Sequence, residues 1–348
     1  MLITPLYESH KNLNAKFVDF YGWTMPLYYT GVIEEAKATR SNAGVFDISH
    51  MARFLITAPS IDFFDRLFTN DPRRLLPGKA HYTLLCREDG GILDDTVLSR
   101  LDDNHFLLIV NACNHRKILD WLKEHSTDEE INDVTGELSC IAIQGPRSRE
   151  IVEKLLRVDL SGLKRFNLVN LNSIIISRTG YTGEDGFEIF APPQMIMSLW
   201  NRSLDLGGIP CGLATRDLLR LEAGYCLYGN ELDENRDPIT AGLERFVRFD
   251  GRKFTGSEKL KKIISDGLKE KLVWFRIQEK VIPRKGDEIR YQGRRIGTVT
   301  SGNYSPHFGS GIGMGYVEYN LASAGNSIEI VIRNRSRIGI ISRPGYTP

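Results

Sequence analysis

The sequence predicts an α+β body followed by a smaller all-β unit. Strands and helices follow one another in irregular order with hairpins, without the regular βαβ alternation of a doubly wound sheet. From Lys271 the texture changes to short strands joined by close turns, the pattern of a small barrel or sandwich. No G-x-G-x-x-G opens a helix after a strand and G-x-x-x-x-G-K-[ST] is absent, so the chain carries no nucleotide-loop signature.

VIEEAKATRSN, Val32 to Asn42, has helical character, and AGVFDISHMARFLITA after it switches to strand-like alternation. SIDFFDRLFTN reads as a helix. Tyr82–Cys86, Ile92–Arg100 and Phe106–Val110 read as antiparallel strands separated by Gly or Asp/Asn turns. HRKILDWLKEHS is an amphipathic helix, ELSCIAIQGP a strand running into a turn, and SREIVEKLLRV another helix. SRTGYTGEDGFE, Ser177 to Glu188, is the turn of a β-hairpin, flanked by Ile174–Ile176 and by Phe187 and Ile189. PPQMIMSLWNRSLDLG and LATRDLLRLEAGYC are helices, the second bounded by Gly212 and Gly224. The Lys-rich stretch from Gly256 to Glu270 is expected to be a connection, after which KLVWFRI, DEIRYQGRRIGTVTSG, GIGMGYVEY, SIEIVIRN and SRIGIIS supply the strands of the last unit.

Forty-five basic against 44 acidic side chains give a net charge of +1, which is no footprint for nucleic acid or an anionic membrane. A small ligand or a protein partner is expected instead. The five cysteines, Cys86, Cys113, Cys140, Cys211 and Cys226, are widely spaced and form no C-x-x-C, as reduced thiols of a cytoplasmic protein would be. His10, His50, His81, His105, His115, His125 and His307 show no H-E-x-x-H or other ligand spacing, so no metal is expected. The N-terminus has no charged leader ahead of a long apolar core, and no stretch approaches a membrane span.

Three groups of residues stand out. Glu188 shares a strand face with Phe190, while Phe187 and Ile189 share the other; it is either an edge-strand acid facing water or a carboxylate that accepts paired N–H donors from a heterocycle. Asp94 and Asp95 lie in a strand, where Asp is disfavoured, and alternation sends them to opposite faces, so one supports the turn and the other faces a cavity. Arg216 and Arg220 share a helical face with Asp217 and Glu222 in reach, either as a solvated charged face or, with Tyr225 and Tyr228 following, as a grip on a flat anionic ligand. His50 is read as a hydrogen-bonded structural histidine.

These segments together resemble the aminomethyltransferase (T-protein) family of the glycine cleavage system. VDFYGWTMPLYY, RSNAGVFDISHM, TNDPRRLLPGKAHYT, DGGILDDTVLS, AIQGP, SRTGYTGEDGFE, GLATRDLLRLEAGYCLYGNELDEN and TSGNYSP match in order and spacing between Thr4 and Pro344. The resemblance implies a three-lobed folate-binding fold: a body over 1–270 with a second α+β lobe inserted at about 52–136, and a β-barrel over 271–348. It implies transfer of the one-carbon unit from the aminomethyl-dihydrolipoyl arm of H-protein to the co-substrate tetrahydrofolate, releasing ammonia and giving 5,10-methylenetetrahydrofolate. Asp95 then matches the family's essential catalytic aspartate, with Asp94 facing away or bracing the strand. Glu188 matches the pterin-binding carboxylate and Arg216 a ligand-contacting arginine, with Tyr181, Tyr82, Met51, Asn111 and Tyr225 lining the pocket.

Two departures touch the pocket wall. In GLERFVRF, Arg245 or Phe246 stands where the family carries a Trp, and the short C-terminus leaves Thr347 or Tyr346 to replace a ligand-contacting side chain. The fold also serves folate-dependent demethylases of small methylated substrates, and folate-binding helpers of iron–sulfur assembly. The helpers carry K-G-C-x-x-G-Q-E where this chain reads YCLYGNELDEN, which leaves Cys226 as a small buried hydrophobe.

Overall fold

The computed structural model describes residues 1–346. Its centre is a six-stranded sheet in the order Leu168–Leu171, Ile174–Ser177, Gly186–Ala191, Ser139–Gln144, Gly44–Asp47, Ile209–Cys211, antiparallel except for the last pair. Both faces are covered. Ile141, Ile143, Phe187 and Ile189 pack on one side against helices Ser148–Leu156 and Pro193–Asp205, whose Ile151, Ile196 and Trp200 are buried. Ala142, Phe46 and Phe190 pack on the other against Ala36, Leu218 and Leu219 of helices Val32–Ser41 and Leu213–Ala223. Double coverage explains why CIAI, Cys140 to Ile143, is a continuous apolar run instead of an alternating one.

Between Gly44–Asp47 and Ser139–Gln144 the chain builds a second sheet, antiparallel throughout, in the order Lys79–Cys86, Ile92–Arg100, His105–Val110, Ala52–Thr57, Glu130–Asp133. Its core is aromatic: Phe64 of helix Asp62–Leu67 meets Phe106 at 4.2 Å between ring centroids, beside Phe54, Phe63 and Phe68. The last sheet is a closed barrel of Glu270–Ile277, Ser310–Glu318, Arg294–Ser305, Glu288–Tyr291, Ser327–Ile332 and Arg335–Ser342, filled by Phe275, Ile289, Val299, Val317, Ile328 and Ile330. Closure leaves no strand edge unpaired.

Two regions differ from expectation. The stretch from Gly256 to Glu270 is not only a connection, because Ser257–Asp266 is a helix. Leu260 is buried against Ile239, Val247 and Phe254, with Ile263 packed beside it, an i, i+3 stripe masked by the lysines around it. The N-terminal segment, unassigned from sequence, forms a small sheet of Leu2–Ile3, Trp23–Tyr28 and Lys16–Phe20.

The inserted sheet, the barrel and the helix Leu213–Ala223 with its following loop meet at one apolar seam. Leu84 and Ile92 of the inserted sheet, Leu221, Cys226 and Leu232 of the body, and Leu272, Trp274, Met314 and Tyr316 of the barrel form a single buried cluster. Polar bonds fix its orientation: Trp274 Nε1 donates to Leu221 O at 2.8 Å and Tyr316 Oη to Glu231 O at 2.8 Å. Helix Leu213–Ala223 and the loop after it are thereby held between body and barrel, and Tyr82 packs against the same seam.

Candidate active site

The eight side chains singled out from sequence, Asp95, Glu188, Arg216, Tyr181, Tyr82, Met51, Asn111 and Tyr225, are all half-buried. Their neighbours Asp94, Asn114, Arg220, Glu222 and Glu231 are buried.

Asp95 sits in strand Ile92–Arg100. Its Oδ2 accepts the Tyr82 hydroxyl at 3.0 Å and its Oδ1 accepts Asn111 Nδ2 at 2.9 Å. Asp94 is fully buried and accepts three N–H bonds, from Asn111 N at 3.0 Å, Asn111 Nδ2 at 2.8 Å and Asn114 Nδ2 at 2.6 Å. Simple alternation did not anticipate that both carboxylates would reach one amide. Asn111 follows directly on strand His105–Val110, beyond its last registered pair Val97–Ile109, and from there its backbone N and side-chain amide reach both acids; Leu93, left over where Leu85 pairs with Asp94 but Cys86 with Ile92, is a bulge before them. Burial pushes both acids above the usual carboxylate range; for Asp94 the adjacent Asp95 charge adds to this, while the donors of Asn111 and Tyr82 pull the other way. The two titrate as a pair.

Glu188 and Arg216 lie on the central sheet and its covering helix. Strand Gly186–Ala191 runs between two others, so Glu188 is no edge-strand acid. Among the described residues its carboxylate accepts one hydrogen bond, from Thr179 Oγ1 at 2.5 Å. The Arg216 guanidinium lies 5.0 Å from the centroid of the Tyr181 ring, and its Nη1 is sealed from solvent without a hydrogen-bond partner. Burial lowers its affinity for the proton, and the charge of Glu188 works against that. Tyr181 stacks on Tyr225 at 5.7 Å between centroids and 24° between planes, and its hydroxyl donates to Cys226 O. Burial holds the Tyr181 phenol well above its usual range; the Arg220 charge works against this and the charges of Asp95 and Glu231 add to it. Met51 packs on the cluster of Phe46, Ile48, Leu107 and, from the Arg216 helix, Leu218 and Leu219, and its carbonyl accepts Arg53 Nη1 at 2.5 Å.

Several sequence readings change. His50 is buried but not hydrogen-bonded through Nδ1; it is packed edge-on to Phe20 at 5.4 Å, and burial pushes its pKa down to about 3. The Arg216/Arg220 helix does not present a solvated charged face, because Arg220 is wholly buried, donating to Glu231 Oε2 at 2.8 Å and Ser301 Oγ at 2.7 Å. At the position of the missing Trp, Phe246 is the residue that packs on Tyr82, at 4.6 Å between centroids, while Arg245 is exposed. Tyr346 bonds to Glu184 and lies against Arg40, so its hydroxyl is not free for a ligand; Thr347 lies outside the described residues. Sequence reasoning passed over one buried network: Asp47 accepts Thr4 Oγ1 at 2.6 Å and pairs with His10 Nε2 at 2.9 Å, whose Nδ1 meets the Tyr29 hydroxyl at 2.9 Å. Only the clustering of polar residues in TPLYESH could have flagged it.

An α+β body bearing an inserted sheet and a C-terminal barrel defines the three-lobed folate-binding aminomethyltransferase class of fold. Residues 6–251 match the sequence profile of the GCVT N-terminal domain, and residues 270–346 that of the glycine cleavage T-protein C-terminal barrel domain. The chain belongs to the glycine cleavage T-protein family. It is 44% identical to an aminomethyltransferase of Halothermothrix orenii, with 97% of each chain covered, and 45% identical to one of Aquifex aeolicus, covering 98% of this chain and 94% of that one. Its fold superposes on the crystal structure of the glycine cleavage system aminomethyltransferase T of Bartonella henselae with a TM-score of 0.94 at 32% identity, covering 100% of this chain and 99% of the other.

Proposed function

We propose that this chain is the aminomethyltransferase of a glycine cleavage system, with tetrahydrofolate as co-substrate and the lipoylated H-protein as partner. The observation that carries the ligand end of the reading is the pair Arg216 and Glu188. Among the described residues, a guanidinium with a sealed, unpartnered nitrogen lies 5.0 Å from one ring of a stacked aromatic pair, and the carboxylate whose charge acts on it accepts a single hydrogen bond. Buried polar groups are normally satisfied. A pterin offers the complement: paired N–H donors for Glu188, an acceptor edge for Arg216 and a flat face for Tyr181 and Tyr225.

In the balanced reaction the transferred carbon loses its bonds to sulfur and to the amine and gains bonds to N5 and N10 of the folate. The two folate N–H protons end on the dihydrolipoyl thiol and on ammonia. Asp95, held by Tyr82 and Asn111, faces the positive charge that develops as the amine departs, and its raised pKa suits it to handle the N5 proton. Asp94 and Asn111 brace it.

We divide the chain into a body over 1–270, with an insert at about 52–136, and a barrel unit over 271–348; sheet membership supports that division. No helix among the described residues is long and apolar enough to cross a membrane, and we place the protein in the cytoplasm. The reading is tested by ammonia release from aminomethylated H-protein with and without tetrahydrofolate. Folate-stimulated release with methylenetetrahydrofolate formed is expected. A protein that binds folate but ignores H-protein and instead demethylates a small substrate would overturn it.

A further inference from the structure

We propose that the C-terminal tail, Pro344 to Tyr346, is a strap that positions the stacked Tyr181–Tyr225 pair, with Tyr346 as its fastening residue. Only the kinetic consequence of this proposal rests on the aminomethyltransferase reading.

The tail leaves barrel strand Arg335–Ser342 and crosses two glycines of the body. Pro344 covers Gly224, where an added Cβ would lie 2.1 Å from Pro344 Cγ. Gly224 ends helix Leu213–Ala223 at φ 73° and directly precedes Tyr225. Tyr346 covers Gly183, where a Cβ would come within 2.9 Å of the Tyr346 ring. Gly183 has φ 84° and lies two residues after Tyr181. Both positions take a left-handed backbone and both lack room for a side chain, so each segment carrying a stacked tyrosine is roofed by the tail.

A buried ionic centre fastens the roof. The Arg40 guanidinium lies 3.5 Å from the centroid of the Tyr346 ring, on whose other partner, His307, the ring packs edge-on at 5.1 Å. Arg40 donates to Thr182 O at 2.7 Å, to Glu184 Oε1 at 3.1 Å and to Glu222 Oε2 at 2.7 Å. One cation thus faces two carboxylates, both nearly inaccessible, with side-chain exposures of 5% for Glu184 and 1% for Glu222. The Tyr346 hydroxyl supplies a further donor to Glu184, and the Ser305 hydroxyl of the barrel supplies one to Glu222 Oε1. Without Tyr346 the Glu184 carboxylate loses a donor and the Tyr181 turn loses its cover. Tyr346 therefore acts through Tyr181 and Tyr225 as a positioning residue and need not touch ligand.

The test compares the full chain with a truncation after Arg343 and with Tyr346→Ala and Tyr346→Phe. Hydrogen exchange is read at segments 178–186 and 224–228, and tetrahydrofolate affinity and turnover are measured on the same proteins. In the truncation and in Tyr346→Ala, exchange at both segments rises while strand Ile92–Arg100 stays protected. The folate Kd rises about tenfold and saturated turnover stays within about twofold, the signature of lost positioning of a binding element. Tyr346→Phe, which keeps the ring over Arg40, recovers part of the affinity. Unchanged exchange at the two segments, or loosening spread evenly over the chain, overturns the strap. A wild-type protein that binds folate but releases no ammonia defeats the transferase reading, and the exchange pattern still decides the strap.

Discussion

The two halves of the site are built in opposite ways. On the inserted sheet, the Asp94–Asp95 pair is bound on every side: Asn111 bridges both carboxylates, Asn114 adds a bond to Asp94 and Tyr82 one to Asp95. On the central sheet and its covering helix, among the described residues, Glu188 has a single donor and Arg216 holds a sealed nitrogen with none. A group that must face developing charge gains from being fixed before the substrate arrives, because no reorganisation is then needed at the moment of reaction. A group that recognises a ligand gains from keeping its bonds open, since the ligand then satisfies them. The difference separates turnover from binding, and substitutions on each side should separate the same way.

The largest effect is expected at the fixed half. Asp95→Asn removes the charge while leaving an oxygen for Tyr82 or Asn111, and should lower turnover by roughly 100- to 1,000-fold, the cost of losing one preorganised electrostatic partner. Tetrahydrofolate affinity, read by titration, should change by less than about threefold. The reverse result, intact turnover with weak binding, would exchange the roles of the two halves. The pH dependence carries a sign of its own. Burial raises the pair above the ordinary carboxylate value of 3.8, so turnover that needs Asp95 ionised should climb with an acid limb displaced upward from that value. For stability the direction is opposite. The folded state holds its proton longer than the unfolded one, so the pair's contribution is fullest below 3.8 and is lost as pH rises through the raised folded value.

Arg216→Met tests the open half. Removing a charged hydrogen-bond partner should weaken tetrahydrofolate binding by about 1.5–3 kcal/mol, roughly 10- to 150-fold in Kd, with turnover at saturation nearly kept. Stability of the free protein should hold or rise, because the change removes a buried cation that has no direct hydrogen-bond partner among the described residues. A marked loss of melting temperature in the absence of ligand would mean that Arg216 is already satisfied and belongs to the fixed half.

What the sequence reveals follows the same division between local and tertiary causes. The Ser177–Glu188 hairpin and the barrel strands are legible because glycines and short apolar runs act over a few residues. Helix Ser257–Asp266 is obscured because three lysines surround its apolar stripe, and what selects it is burial of Leu260 against Phe254. Strand pattern alone leaves Asp94 and Asp95 undecided, and resemblance to the family chose Asp95; that one amide, Asn111, reaches both depends on where the neighbouring strand His105–Val110 ends, which local pattern does not give. Arg220 looks like a surface charge until Ser301, 81 residues away, is brought against it. The Asp47 network joins residues 37 and 43 positions apart, beyond any window over which periodicity speaks.

The smallest effect concerns His50, the buried histidine close to Arg216. Burial, reinforced by the charges of Arg216 and Arg53, lowers its pKa from the usual 6.5 to about 3. Between those values the unfolded chain binds a proton that the folded chain refuses, so stability present above pH 6.5 is lost as pH falls through this window. His50→Leu removes that proton from the balance. Its stability, measured by denaturant unfolding from pH 6 to pH 4, should fall less steeply than the wild type's by about 1.4 kcal/mol per pH unit, the worth of one proton. His81, half-buried and pushed down to about 4 by desolvation, should keep the remaining slope from vanishing. Equal slopes in the two proteins would mean that His50 takes up its proton in the folded state. A cation would then stand beside Arg216, and the open half of the site would need an anionic ligand group to hold them together.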